Sequence, residues 1–251
     1  MILTSDHLKN LSEFVYSSDD LSICGYLMQP FWNWLCLKIP HWVAPTTLST
    51  IGIFINTFTT LVVLFFCPSG SEQAPSWVYI LCAVGLFLYQ TVDSLDGKQE
   101  RKIDFLASLS DMFDHGFDSV SNVLLLISFG CVMQLGHHST LLFCMWASGM
   151  FMFYVVHWTT YVTGVVMFCR FDVTEAQLVV IIIFLLTAVF GPGIWAYKGS
   201  HAIGPIVPIA TVLILTVMSI HNSTSAVYEK HPCLFLLAYG IVAAKYINKY
   251  V

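Results

Sequence analysis

Residues 92–119 read VDSLDGKQERKIDFLASLSDMFDHGFDS and place four aspartates at the edges of two apolar stretches. The four are Asp93, Asp96, Asp114 and Asp118. The first two are three residues apart and the last two are four apart, so on helices each pair projects from one face within a single turn. Two such helices packed side by side would bring four carboxylates together. Unpaired at a bilayer centre they would cost roughly 10 to 14 kcal/mol, and divalent cations are the obvious means of offsetting that cost.

The composition of the chain is that of a membrane protein. Of its 251 residues 57% are hydrophobic and only 10% are charged, and the mean hydropathy is +0.76, which is far more apolar than a soluble domain. The net charge of −5 is spread over short loops without a basic surface, so we expect no nucleic acid partner. The eight cysteines contain no Cys-x-x-Cys pair and are interpreted as packing residues. These features predict an all-α, polytopic membrane helix bundle.

Apolar stretches near the length of about 20 residues that a bilayer requires predict six to seven transmembrane helices. The candidate spans are Thr47–Cys67, Trp77–Leu95, Asp118–Leu135, Leu141–Thr163, Ala176–Trp195, Ile203–Ile220 and, apolar for only half its length, Cys233–Val251. Before them, the tryptophan-rich stretch Tyr26–Trp42 predicts a helix that lies along the membrane interface. We therefore expect a cytosolic or interfacial segment over residues 1–45 and a membrane domain over residues 46–251.

Positively charged residues predict which side of the membrane carries the aspartates. Lys98, Arg101 and Lys102 follow the second span, and Arg170 follows the fourth. Such residues favour the cytosolic side, whereas loops 68–76 and 136–140 contain no Lys or Arg. We therefore expect the acidic cluster to face the cytosol.

The spacing of the cluster resembles the signature of the CDP-alcohol phosphotransferases. From Asp93 it reads D-x2-D-G-x2-E-R-x8-S-x3-D-x3-D, where the family has D-x2-D-G-x2-A-R-x8-G-x3-D-x3-D. DGKQERK and MFDHG are similar to segments of the eukaryotic choline and ethanolamine phosphotransferase branch, and WVAP at 42–45 and VYEKHPCL at 227–234 extend the resemblance over nearly the whole chain. The resemblance implies transfer of phosphocholine or phosphoethanolamine from CDP-choline or CDP-ethanolamine to diacylglycerol, in the endoplasmic reticulum or Golgi membrane.

The resemblance also implies metal ions. The four aspartates would hold two magnesium ions, or manganese in their place, at the pyrophosphate of the CDP-alcohol. Carboxylate and phosphate oxygens are the ligands that magnesium prefers, and two ions can stabilise the leaving group.

Four further residues are given roles by the same resemblance. Arg101 would bind phosphate oxygens through its planar guanidinium, and Thr46 and Gly97 would adjoin the CDP-alcohol. We expect Gly97 to let the backbone turn where the second span ends. His115 would accept the proton of the incoming hydroxyl, since its ordinary pKa of about 6.5 suits a base near neutral pH.

Two of these interpretations have alternatives. Asp118 is a second candidate for the base. Arg101 is also explained by the positive charge that cytosolic loops carry. His157 lies in the middle of a predicted span, where either an interhelical hydrogen bond or a substrate contact would explain a polar side chain.

The chain also departs from the family pattern. Glu100, Ser110 and Thr46 stand where the family has Ala, Gly and Asn, and relatives continue through further helices beyond Val251. The alternative function is therefore a C-terminally shortened, weakly active or inactive relative that acts as a partner or regulator of full-length enzymes. A homodimer or heterodimer is compatible with both functions.

Overall fold

The computed structural model describes residues 18–20, 23–105, 107–163, 166–168 and 173–195. Six α-helices lie within these ranges: α1 (Ile23–Lys38), α2 (Pro45–Phe66), α3 (Ser76–Ile103), α4 (Ala107–Val132), α5 (Ser139–Thr163) and α6 (Val173–Phe190). Short 3-10 helices cover Leu135–His138 and Pro192–Ile194. One parallel pair of three-residue strands, β1 (Ser18–Asp20) and β2 (Val166–Phe168), joins the N-terminal segment to the chain after α5.

Four of the described helices are long and apolar enough to cross a membrane. They are α2, α3, α4 from Ser110 onward, and α6. Within α5, the residues whose side chains are described form a further apolar stretch, Leu141–His157. The predicted membrane helix bundle is thus confirmed, with the small strand pair as an unpredicted addition. The predicted spans Ile203–Ile220 and Cys233–Val251 lie outside the described residues, as does Arg170.

Two helices extend further than their apolar stretches. Helix α3 continues past Leu95 to Ile103, and α4 begins at Ala107, well before Asp118. Hydropathy ends a span at its charged residues, but Lys, Gln, Glu and Arg are strong helix formers, so the backbone continues through KQERK. Helix α3 then stops at Asp104, which adopts a left-handed conformation with φ 51°. All four aspartates therefore lie within helices and not at their ends.

The helices that carry the aspartates pack around a hydrophobic core at the end of the bundle away from the aspartates. Helix α3 packs against α2 and α6, and α4 packs against α2 and α5. Val63, Val78, Val132 and Phe184 are among the core residues that are almost inaccessible to solvent. Gly85 brings α3 close to α2, because a Cβ there would lie 2.4 Å from the methyl carbon of Thr59. Close contacts at small residues are a common means of packing membrane helices.

Two lysines hold α1 against the last turns of α3. Lys98 Nζ donates hydrogen bonds to Gln29 Oε1 at 2.5 Å and to Asn33 Oδ1 at 2.8 Å. Lys102 Nζ donates to the carbonyl oxygen of Cys36 at 2.9 Å, near the C-terminus of α1. These lysines therefore join two helices, in addition to contributing positive charge at this end of the bundle.

Helix α1 has one face on the bundle and another that remains exposed. Trp32 and Cys36 are buried against Leu48 and Leu95. The exposed side chains are apolar and aromatic: Tyr26, Leu27, Trp34 and Leu37. An exposed apolar face of this kind is typical of a helix at a membrane interface.

Candidate metal and nucleotide site

Helices α3 and α4 bring the four aspartates together, and three of them line one small cleft. Ligand oxygens of Asp93, Asp96 and Asp114 all lie within 4.8 Å of one another, and so do ligand atoms of Asp114, His115 and Asp118. Asp114 belongs to both groups. The donors are mainly carboxylate oxygens, which fit a hard divalent cation. The site can therefore hold metal ions, and Asp114 would serve both groups of ligands.

A hydroxyl from α2 orients one of the aspartates. Asp96 is only 5% exposed, and Ser49 Oγ donates a hydrogen bond to its Oδ2 at 2.7 Å. The backbone N–H of Gly97 donates to its Oδ1 at 2.6 Å. Partners of this kind fix the orientation of a carboxylate ligand and are as much a part of a metal site as the ligands. The sequence analysis missed Ser49, although it lies three residues after Thr46 and thus on the same side of α2.

A tyrosine orients a second aspartate. Tyr89 OH donates a hydrogen bond to Asp118 Oδ1 at 2.5 Å, from α3 to α4. Gly52 of α2 makes room for the tyrosine ring, because a Cβ at residue 52 would lie 3.3 Å from Tyr89 Cδ2. Ser49, Gly52 and Tyr89 line the cleft together with three of the aspartates. Tyr89 lies four residues before Asp93, so its helical spacing was a signal that the sequence analysis did not use.

His115 contacts a second histidine. Its ring meets that of His157 on α5 at a right angle, with 5.0 Å between the ring centroids. His157 Nδ1 lies 2.9 Å from the carbonyl oxygen of Phe153, one turn earlier in the same helix. Since a carbonyl only accepts, Nδ1 carries the proton and donates. The Nδ1–H of His157 is thus satisfied within α5, and the ring of His157 packs against His115.

Gly97 lies inside a helix, contrary to the expected backbone turn. Helix α3 continues six residues beyond it to Ile103, and Gly97 has no positive φ. The physical reason is that KQERK favours helix, so the span does not end at the glycine. A Cβ at Gly97 would lie 3.8 Å from Arg101 Nη1. The Arg101 guanidinium therefore extends back along α3 toward Gly97.

Thr46 is the second residue of α2 and lies half-buried three residues before Ser49. The N-cap residue Ala44 supplies no side-chain hydrogen bond to the helix. The positive end of the helix dipole and the unsatisfied N–H groups of a first turn favour anions. Thr46 thus lies on the helix that also supplies Ser49, at the end that favours an anion.

Two of the three departures from the family pattern, Glu100 and Ser110, lie near the junction of α3 and α4. Ser110 is buried, at 4% exposure. Glu100 acts electrostatically on Asp111, near the start of α4, and the Asp111 Oδ2 atom has no hydrogen-bond partner in the described part of the chain. The extra carboxylate at residue 100 therefore adds repulsion between α3 and α4.

Comparisons with known proteins identify relatives over almost the whole chain. No protein-family model matches. Cholinephosphotransferase 1 of Rattus norvegicus is 38% identical over 99% of this chain and 74% of its own, and that of Homo sapiens is 34% identical over 99% and 72%. The "Uncharacterized CDP-alcohol phosphatidyltransferase class-I family protein 2" of Dictyostelium discoideum is 33% identical over 87% of this chain and 53% of its own. The chain therefore belongs to the CDP-alcohol phosphotransferase family.

Proposed function

We propose that the protein transfers phosphocholine or phosphoethanolamine from its CDP carrier to the hydroxyl of diacylglycerol, giving phosphatidylcholine or phosphatidylethanolamine and CMP. The bond between the bridging oxygen of the diphosphate and the phosphorus of the alcohol phosphate breaks, and the diacylglycerol oxygen bonds to that phosphorus. The similarity to cholinephosphotransferases supports this reaction. The observation that carries it is the convergence of carboxylates from α3 and α4 at one cleft in an integral membrane protein. It is thus a transferase of phospholipid biosynthesis.

Magnesium, or manganese, is the metal that we propose for the four aspartates. Two bound ions would neutralise charge on the diphosphate and on the departing CMP. Ser49 and Tyr89 hold Asp96 and Asp118 in place. Pre-oriented ligands lower the cost of ordering the site when the cation binds.

The remaining residues would bind the nucleotide and accept the proton. Arg101 beside Gly97 suits the diphosphate, since guanidinium binds phosphate oxygens bidentately. Thr46 and the first turn of α2 adjoin the nucleotide. His115 accepts the proton of the diacylglycerol hydroxyl, and His157 limits the orientations of its ring.

We place the cleft at the cytosolic face of the endoplasmic reticulum or Golgi membrane. The end of α3 that carries the aspartates also carries Lys98, Arg101 and Lys102, which supports a cytosolic position. A water-soluble CDP-alcohol then reaches the cleft from the cytosol, while diacylglycerol reaches it from the bilayer. In this arrangement residues 1–45 form an interfacial segment, and the membrane domain extends from residue 46.

The test is product formation by membranes from cells that lack this activity. Radiolabelled CDP-choline and CDP-ethanolamine are supplied with diacylglycerol, with and without magnesium. Asp114→Asn should abolish product, whereas Asp104→Asn should not, because Asp104 is exposed at the left-handed cap of α3, a conformation that Asn also adopts. A parent protein that makes no more product than Asp114→Asn would overturn the enzyme proposal. Stimulation of a co-expressed active member of the family by that inactive parent would instead support a regulatory role.

A further inference from the structure

Gln99 is a buried amide that ties α3 to the turn before α2. Its side chain is 0% exposed, although it belongs to the polar stretch KQERK. Its Nε2 donates hydrogen bonds to the carbonyl oxygens of Pro40 and Val43, both at 2.9 Å. A flipped amide would set its oxygen against two carbonyl oxygens, so the orientation is fixed by these acceptors. The Oε1 atom is buried and has no hydrogen-bond partner among the described residues.

The turn that Gln99 holds leads directly into the nucleotide end of α2. Val43 lies three residues before Thr46, and α2 begins between them at Pro45. On the other side of Thr46, Ser49 bonds to Asp96 at 2.7 Å. Helix α3 therefore contacts this part of the chain at two points, one before Thr46 and one after it. These contacts set the position of Thr46 relative to the aspartates.

We infer that Gln99 is a positioning residue for nucleotide binding. By holding the turn before α2, it places Thr46 and the first turn of α2 against the metal cleft. This inference rests on the proposed function. A positioning role differs from a general stabilising role in one respect. Loss of the two hydrogen bonds should weaken nucleotide binding more than it affects diacylglycerol binding, magnesium binding or the chemical step. A displacement of about 1 Å in groups that hold a substrate can lower the efficiency of the enzyme on the order of 100-fold.

Gln90 provides a matched control on the same helix. It is also buried, at 4% exposure, and its Nε2 donates to the carbonyl oxygen of Thr174 at 3.1 Å. That hydrogen bond ties α3 to α6 and not to the start of α2. A change at Gln90 thus removes a comparable buried amide without releasing the turn before Thr46.

The first measurement compares steady-state kinetics of Gln99→Met and Gln90→Met, since methionine has a similar length and no donor. Gln99→Met should raise KM for CDP-choline about ten- to hundred-fold. Its kcat and its half-saturation by diacylglycerol and magnesium should stay within about two-fold, as for a lost interaction that ground and transition states share. Gln90→Met should leave KM for CDP-choline unchanged. Equal KM values in the two variants, or an equal rise in all constants, would overturn the role of Gln99.

The second measurement is CMP binding by the purified protein with magnesium, followed by calorimetry, which needs no turnover. Gln99→Met should raise the Kd for CMP by the same factor as KM. A parent protein that binds no CMP overturns the proposed function itself, whereas equal affinities in the parent and Gln99→Met overturn only the role of Gln99. If Gln99→Met does not fold, Gln99→Asn replaces it, because this shorter amide cannot reach both carbonyls, and the same outcomes decide.

Discussion

The hydrogen bond from Tyr89 to Asp118 gives the most precise prediction about the site. Tyr89→Phe removes the hydroxyl that donates to Asp118 Oδ1 at 2.5 Å and leaves the ring packed beside Gly52. A hydrogen bond to a charged group is worth roughly 1.5 to 3 kcal/mol. At about 1.4 kcal/mol for each factor of ten, this is roughly a ten- to hundred-fold change in an equilibrium constant. We therefore expect the magnesium concentration for half-maximal activity to rise by that factor.

Tyr79→Phe is the matched control for this experiment. Tyr79 lies on the same helix, is 1% exposed, and its hydroxyl accepts a hydrogen bond from the backbone N–H of Ala74 at 2.9 Å. Its partner is a neutral backbone group in the loop before α3, far from the aspartates along the helix. Its loss should lower the unfolding temperature without changing the magnesium requirement, since a buried N–H loses its partner.

The assay is product formation in membranes over a series of magnesium concentrations at saturating CDP-choline, for the parent and both variants. Tyr89→Phe should regain most of the parent rate at high magnesium, because the carboxylates themselves are retained. The reasoning would be refuted if Tyr89→Phe had the magnesium requirement of the parent, or if Tyr79→Phe raised that requirement equally.

Three further predictions concern the helices and the loop before α3. Gly97→Ala should stabilise α3 by about 0.5–1 kcal/mol and so raise the unfolding temperature in detergent, because Gly97 lies inside the helix and an added Cβ would make only ordinary contacts. A lower unfolding temperature would contradict the helical position of Gly97. Gly85→Ala should destabilise the fold by about 1–3 kcal/mol through overpacking against α2. Gly116→Ala should not destabilise it, because a Cβ added at residue 116 would meet no atom within 4 Å. Equal unfolding temperatures of the two variants would disprove the close contact at Gly85. The Ser69 hydroxyl donates to Glu72 and lowers the pKa of that carboxyl, so its contribution to stability is present above the unfolded pKa of about 4.3 and is lost as pH falls through the lower folded value. Ser69→Ala should therefore make the unfolding temperature less sensitive to pH below about 4.3, and an unchanged pH dependence would refute that contribution.

The class of fold and the grouping of the aspartates were accessible from the sequence for local reasons. Apolar stretches near bilayer length predict membrane helices, and i, i+3 and i, i+4 spacings define a helix face without knowledge of any partner. Helix ends were less accessible, because hydropathy stops at charged residues while the backbone of α3 continues through Gly97 to Ile103. Whether a charged segment is helical depends on the helix propensity of its residues and on the elements that pack against it. Only the propensity can be read from the segment itself.

The contacts of Ser49, Lys98 and Gln99 depend on residues far away in the sequence. Ser49 meets Asp96 only because α2 packs on α3 in one particular rotation. Lys98 and Gln99 meet α1 and the turn that follows it, more than fifty residues earlier. A positive or polar residue beside a membrane span has a topological explanation already, so the sequence alone did not indicate these partners.

Direct metal binding tests the central claim, that α3 and α4 form a divalent metal site. Manganese binding to the purified protein, measured by electron paramagnetic resonance in the presence of CMP, should give saturable binding by the parent and by Asp104→Asn. Asp114→Asn should lose it, because Asp114 belongs to both groups of ligands. Equal manganese binding by the parent and Asp114→Asn would contradict the account.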